Sequence, residues 1–171
     1  GTDTAGSGRV PAAFNNLVGW KPTKGVISTR GVVPACRAQD AVSIFALTVA
    51  DAAAIADVAG IYDPQDAFAR QAPAAQAGST WSAPLRIGIP KSLVAMSSGA
   101  YTQTLFDEAV ERARSIGASI HEIDYAPFAE AASLLYSGAF VAERLAAIED
   151  FAEAKPEALY EPVRSIILGA R

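Results

Sequence analysis

One serine in this chain lies among residue types suited to acyl transfer. Residues 1–12 read Gly1-Thr2-Asp3-Thr4-Ala5-Gly6-Ser7-Gly8-Arg9-Val10-Pro11-Ala12. Small residues let a backbone fold tightly round a single hydroxyl, here that of Ser7. Their amides can then point at one spot, where a tetrahedral intermediate carries its negative oxygen. A purely structural glycine-rich turn fits the same spacing.

Other reactive side chains have blander settings. His121 lies beside Glu122 in an expected strand, with no serine or acid spaced for a relay, and reads as an edge or surface residue. Cys36 follows Pro34-Ala35 without a nearby histidine and reads as a small packing residue. Trp20 and Trp81 also read as packing residues. No His, Cys and carboxylate cluster has metal-ligand spacing, and no Gly-Lys-Ser/Thr follows the glycines as a phosphate loop needs. Neither a metal nor an organic cofactor is expected.

The elements that must hold Ser7 follow from local pattern. Residues 1–10 read as loop, and Arg9 to Asn16 suits one short helix with Pro11 in its first turn. Leu17 to Lys21 reads as a short buried strand ended by Pro22 and Gly25, and residues 26–40 as mixed loop and strand. Thr48-x-x-Asp51 resembles a capping box and predicts a helix running to about Gly60. The stretch 62–83 is rich in Asp, Pro, Ala, Gln and Gly and reads as a surface excursion. Leu85 to Pro90 is an expected strand. Thr102 to Gly117 is an expected amphipathic helix with Leu105, Ala109 and Ile116 near one face, and Ala118 to Ile123 a second strand. That order predicts a parallel crossover unit. Helices are expected at 128–136, 140–154 and 157–169. The fold class is α/β, a mixed β-sheet core flanked by α-helices.

The bulk numbers bound the function. The chain has 171 residues, 51% of them hydrophobic and 19% charged, which suits a packed core and not a disordered segment. A net charge of −4 with scattered Lys and Arg argues against nucleic acid. The apolar run from Val42 to Ile61 is interrupted by Asp51 and Asp57, which suits a core helix better than a membrane span. These residues hold no signal-peptide pattern, and the single Cys36 cannot form an internal disulfide, so a reducing cytoplasm is expected.

Taken with Val18-Gly19-Trp20-Lys21-Pro22-Thr23, Gly25, Ser28, Gly31-Val32-Val33-Pro34-Ala35-Cys36 and Ser43-Ile44-Phe45-Ala46, the opening loop resembles the amidase signature family. The resemblance is dense over residues 1–60 and looser beyond. Thr-Ala-Gly-Ser-Gly-Arg and Val-Pro-Ala-Cys are most similar to the allophanate hydrolase branch; many other members carry a second glycine in place of Ala5 and a bulkier residue in place of Gly8. The resemblance implies Ser7 as nucleophile and the backbone amides of Thr4, Ala5, Gly6 and Ser7 as oxyanion donors. Ala5 serves if its φ is negative. It makes Asp3 and Arg9 braces behind the loop, where an ordinary surface ion pair is the other reading.

The same resemblance implies a lysine and a bridging serine, often held by a cis peptide, upstream of the loop. None of Lys21, Lys24, Lys91 and Lys155 sits where the family puts its base. The chain, opening inside a motif, is therefore expected to be a single incomplete amidase domain: residues 1–60 nucleophile loop and core, 61–83 surface connection, 84–171 the elements of the substrate site. Alone it is expected to be inactive, and a further domain is expected after Arg171.

Leu135-Tyr136-Ser137-Gly138-Ala139-Phe140-Val141-Ala142-Glu143-Arg144 resembles the branch's segment in which a tyrosine and an arginine hold the substrate's carboxylate and ureide oxygens. A guanidinium fork suits a planar carboxylate. On a regular helix the two side chains would stand ~80° apart, so convergence needs a break at Gly138. A solvated arginine and a half-buried tyrosine is the other reading. The implied reaction is hydrolysis of the terminal amide of allophanate, releasing ammonia, by a homo-oligomer of the intact protein acting on a small molecule and not on nucleic acid or membrane. The rivals are another amidase of the same signature, including the amidase component of an amidotransferase, and a non-catalytic interaction domain.

Overall fold

Thr48 shows how directly these residues set local structure. Its extended backbone and its hydroxyl, which accepts the Asp51 N–H at 3.1 Å, open a helix at Val49 as the capping pattern predicts. A computed structural model describes residues 1–72, 84–91 and 100–170. Along the chain these form β1 (Thr2–Asp3), α1 (Val10–Phe14), β2 (Val18–Trp20), β3 (Ala41–Val42), β4 (Ile44–Ala46), α2 (Val49–Ala59), β5 (Arg86–Pro90), α3 (Ala100–Ser115), β6 (Ser119–Ile123), α4 (Ala126–Ser133), α5 (Ala139–Ala154) and α6 (Val163–Leu168). Short 3-10 turns at Leu134–Tyr136 and Pro156–Ala158 precede and follow α5. Two compact units result, Gly1–Ala75 with Ser133–Arg171, and Gln76–Ala132.

In the first unit the expected mixed sheet takes the form of two short antiparallel ladders. β1 pairs with β3, Thr2 opposite Val42, and β2 pairs with β4, Gly19 opposite Phe45. The segment read as loop at residues 1–10 thus begins as a strand. Ile27, Ile44 and Ala52 form the core beneath, with Val18, Trp20 and Ala56 packed on them. Ala52 is fully buried, so α2 approaches the ladder on its alanines as expected. A second cluster joins Leu145 and Ala152 of α5 to Ile167 of α6. Helix α5 is not uniform: Ile148 has non-helical dihedrals (φ −134°, ψ 19°) part-way along it.

The segment 61–72 lies at the surface but is anchored. Asp63 and Asp66 accept hydrogen bonds from Ser28, Thr29 and Arg30, and the Arg70 N–H reaches the Gly25 carbonyl at 2.9 Å. Lys24 lies 3.9 Å over the ring of Phe68. Trp81 and the remainder of the expected surface connection, residues 73–83, fall outside the described residues.

In the second unit β5 and β6 pair in parallel, Gly88 opposite His121, as the strand–helix–strand order predicts. The face expected for α3 needs correction. Leu105 and Ile116 are exposed, while Phe106, Val110 and Ala113 are the half-buried stripe. One residue along a helix is about 100° round it, and the large Phe106 takes the inner side with its i+4 and i+7 neighbours. His121 is exposed in β6.

Candidate active site

Asp3 is the centre around which the loop carrying Ser7 closes. It ends β1 and is fully buried. Its Oδ2 accepts the Gly8 N–H at 3.1 Å and the Arg9 Nε–H at 2.9 Å; its Oδ1 accepts from Arg9 Nη2 at 3.3 Å and lies 3.5 Å from Lys21 Nζ. Burial alone would push this carboxyl up. The hydrogen bonds from Arg9 and Gly8 and the charges of Lys21 and Arg9 outweigh burial and lower it to about 2. A carboxylate so buried and so partnered is not the ordinary surface ion pair that the sequence left open.

Between Asp3 and Gly8 the chain makes the turn that carries Ser7. Gly6 is buried with φ 144°, a region side chains rarely adopt, and a Cβ there would also lie 3.3 Å from Val10. Its carbonyl accepts the N–H groups of Arg9 and Val10, both at 2.8 Å, and so starts α1. Across a trans peptide the N–H points opposite to the carbonyl, so the Ser7 N–H is turned away from α1. Among the described residues the amides of Ala5, Gly6 and Ser7 donate to no protein acceptor, whereas those of Gly8, Arg9 and Val10 all do. Asn16 is the one non-glycine with positive φ among the described residues, so Ala5 has the negative φ that the sequence reading required of it. Ser7 itself is exposed, and its hydroxyl is hydrogen-bonded to no described residue.

Two further residues fix this loop. Thr4 is half-buried, and its hydroxyl donates to Oδ1 of the buried Asp40. Asp40 also accepts the N–H groups of Ala35 at 3.0 Å and Cys36 at 3.1 Å. Behind Gly8 stands Ser43, only 2% exposed, whose Oγ has no hydrogen-bond partner among the described residues.

Cys36 is fully buried, as a packing residue should be, but it is not without polar company. Its thiol donates to Glu143 Oε2 at 3.1 Å, and Glu143 Oε1 accepts the Ala38 N–H at 3.1 Å. Burial, with the neighbouring Glu143 carboxylate, pushes the thiol up to about 11. Glu143 sits on α5 next to Arg144. Gly138, with φ 62°, caps α5 and interrupts the helical path from Tyr136, as convergence of Tyr136 and Arg144 would require. Tyr136 is 64% exposed at the end of its 3-10 turn. Arg144 is half-buried and has no ion-pair or hydrogen-bond partner among the described residues. A half-buried cation left unpaired is a ready receptor for an anion.

The family model described as Amidase matches residues 1–167. The chain belongs to the amidase family. This chain is 46% identical over 173 residues to the urea amidolyase of Saccharomyces cerevisiae, covering 100% of this chain and 9% of that protein. It is 38% identical over 128 residues to a glutamyl-tRNA(Gln) amidotransferase subunit from Natronomonas pharaonis, covering 72% of this chain and 30% of that one. Among solved structures, selenomethionine-substituted Kluyveromyces lactis allophanate hydrolase superposes with a TM-score of 0.91 at 45% identity, over 99% of this chain and 28% of that chain. The chain therefore spans only a minor part of the relatives it matches, and its amidase-signature α/β fold is shared with them.

Nothing in the sequence alone marks Lys21 as the second cation on Asp3, nor Ser43 and Glu143 as parts of the site, and Asp40 goes unnoticed there. Asp40 left one usable signal: an acidic side chain four residues after Cys36 can accept loop amides much as a capping residue does. Glu143 left none, because its partners lie 105 and 107 residues away.

Proposed function

We propose that the intact protein is a serine amidohydrolase that cleaves the terminal C–N bond of allophanate, and that this chain supplies its nucleophile and part of its substrate site. The observation that carries the reading is the exposed Ser7 hydroxyl beside the amides of Ala5, Gly6 and Ser7, which donate to no acceptor among the described residues. Similarity to the urea amidolyase and allophanate hydrolase chains supports the choice of substrate. Ser7 Oγ attacks the amide carbon, and the former carbonyl oxygen takes the negative charge beside those amides and that of Thr4. The intermediate collapses as the C–N bond breaks and the departing nitrogen takes a proton, leaving ammonia and a Ser7 acyl-enzyme. Water then attacks the acyl carbon, restores the serine and releases a carboxylated product.

Asp3 and Arg9 act as braces, holding Gly8 and thereby the turn. Tyr136 and Arg144, which has no partner among the described residues, bind the carboxylate and ureide oxygens. The family pattern also calls for a relay lysine and a bridging serine, which this reading places upstream of the nucleophile loop in the intact protein; Lys21 is paired with Asp3, and Lys24 lies over Phe68. The two units belong to one amidase domain, working on a small molecule in the cytoplasm, where the thiol of Cys36 stays reduced; self-association of the intact protein completes the reading.

The test is Ser7→Ala in the intact protein, with ammonia release and acyl-adduct mass spectrometry as readouts. Turnover and the adduct should both vanish while the fold survives; activity near wild type would exclude Ser7 as nucleophile. The 38% identity to an amidotransferase component supports a second reading, another amidase of this signature. Simple aliphatic amides outcompeting allophanate would favour it.

A further inference from the structure

We infer that Glu143 is a positioning residue that sets Arg144 relative to Ser7; this rests on the substrate-binding role proposed above for Arg144. The observation is an unbroken hydrogen-bonded path between the nucleophile loop and α5. Thr4, three residues before Ser7, donates its hydroxyl to Asp40 Oδ1. The same oxygen accepts the Cys36 N–H at 3.1 Å. The Cys36 thiol then donates to Glu143 Oε2 at 3.1 Å, while the other Glu143 oxygen holds the Ala38 N–H at 3.1 Å. Asp40 and Cys36 are buried, and Glu143 is half-buried.

Three features make Glu143 the decisive link. It is the residue immediately before Arg144, so its anchoring limits both rotation and sliding of the first turns of α5. It uses both carboxylate oxygens on one five-residue loop, Cys36 to Asp40, which Asp40 itself closes through the Ala35 and Cys36 amides. Arg144 has no partner among the described residues that would orient it directly. The apolar contacts of Val141 and Leu145 hold α5 inward but set no polar register. The hydrogen bonds to Glu143 add that register, and a guanidinium displaced by about 1 Å can lose on the order of 10²-fold in rate.

The experiment uses the intact protein with allophanate and, in parallel, propionamide, which has no carboxylate. Glu143→Ala should raise KM for allophanate about tenfold and change kcat/KM for propionamide far less. Cys36→Ala should shift the same parameter in the same direction by a smaller factor. Cys36→Ser, which keeps a donor to Glu143, should recover most of it. Arg144→Ala serves as the reference. If it separates the two substrates but Glu143→Ala does not, or Glu143→Ala harms both substrates equally, the positioning role is overturned while the Arg144 assignment stands. If Arg144→Ala treats both substrates alike, the binding assignment fails and the role of Glu143 fails with it. Should Glu143→Ala not fold, Cys36→Ala against Cys36→Ser decides the matter by the same substrate split.

Discussion

Gly8 and Ser43 occupy a single side-chain volume between them. A Cβ added at Gly8 would overlap both Oγ and Cβ of Ser43, which is impossible without backbone movement. Gly8→Ala should therefore destabilise the protein by about 1–3 kcal/mol, as overpacking does. Ser43→Ala should act oppositely. It removes a buried hydroxyl that has no partner among the described residues, whose desolvation costs about 1–3 kcal/mol. Ser43→Gly combined with Gly8→Ala should recover much of the loss, since both close atoms go and the next neighbour, Asp3 Cβ, stands at 3.1 Å. Urea unfolding of the parent, the two single variants Gly8→Ala and Ser43→Gly, and their combination, read as a double-mutant cycle, checks the coupling; simple additivity would contradict it.

Asp3 should make acid stability depend on the loop. Its folded carboxyl is lowered from 3.8 to about 2, so its contribution is present above pH 4 and fades as pH falls toward 2. The size is on the order of 2 kcal/mol. Asp3→Asn should lower stability at pH 7 and flatten its decline between pH 4 and 2. Unfolding midpoints across that range give the comparison, and parallel curves for the two proteins would refute the assignment.

Gly6 should tolerate nothing larger. Gly6→Ala places a Cβ at φ 144° and 3.3 Å from Val10, and the turn can relax only by swinging the Gly6 carbonyl off α1. The amides beside Ser7 swing with it. Losing one good oxyanion donor costs about 10²–10³ in kcat. Steady-state kinetics of the intact protein should show that fall mainly in kcat, not KM.

Cys36 should be chemically silent in the folded protein. It is fully buried and its thiol is raised to about 11, so little thiolate exists at pH 8. Alkylation by a maleimide at pH 8 should be slow until denaturant is added. The raised thiol also implies stability that is intact below pH 9 and is lost as pH rises toward 11. Rapid labelling of the native chain at this position would show that the Glu143 contact does not hold in solution.

The parts of this molecule that were legible in its sequence are those whose cause is local. Thr48 and Asp51 cap α2 within a single turn, Gly60 ends it, and Gly138 breaks the path from Tyr136 to α5. The parallel β5–β6 pair follows from element order alone. The strand Thr2–Asp3 was hidden because two residues carry no alternation to read. The α3 face was misread by one position because Leu105 and Phe106 are both apolar and only packing chooses between them. At the site, Ser7 and its glycines were visible as a cluster. The grip of Asp40 on Thr4 and of Glu143 on Cys36 was not, since those pairs stand 36 and 107 residues apart and leave no spacing to recognise.

The irregular dihedrals at Ile148 make α5 two short rods with a joint, not one lever. Arg144 and Leu145 ride on the rod nearer Gly138 and Ala152 on the other, and Leu145 and Ala152 share one buried cluster with Ile167. A change in the packing of Ile167 therefore reaches the neighbour of Arg144 directly, without crossing the joint. Helix α6 is accordingly the clamp that holds both rods at once, and repacking Ile167 would alter the bearing of Arg144 together with the stability of the chain.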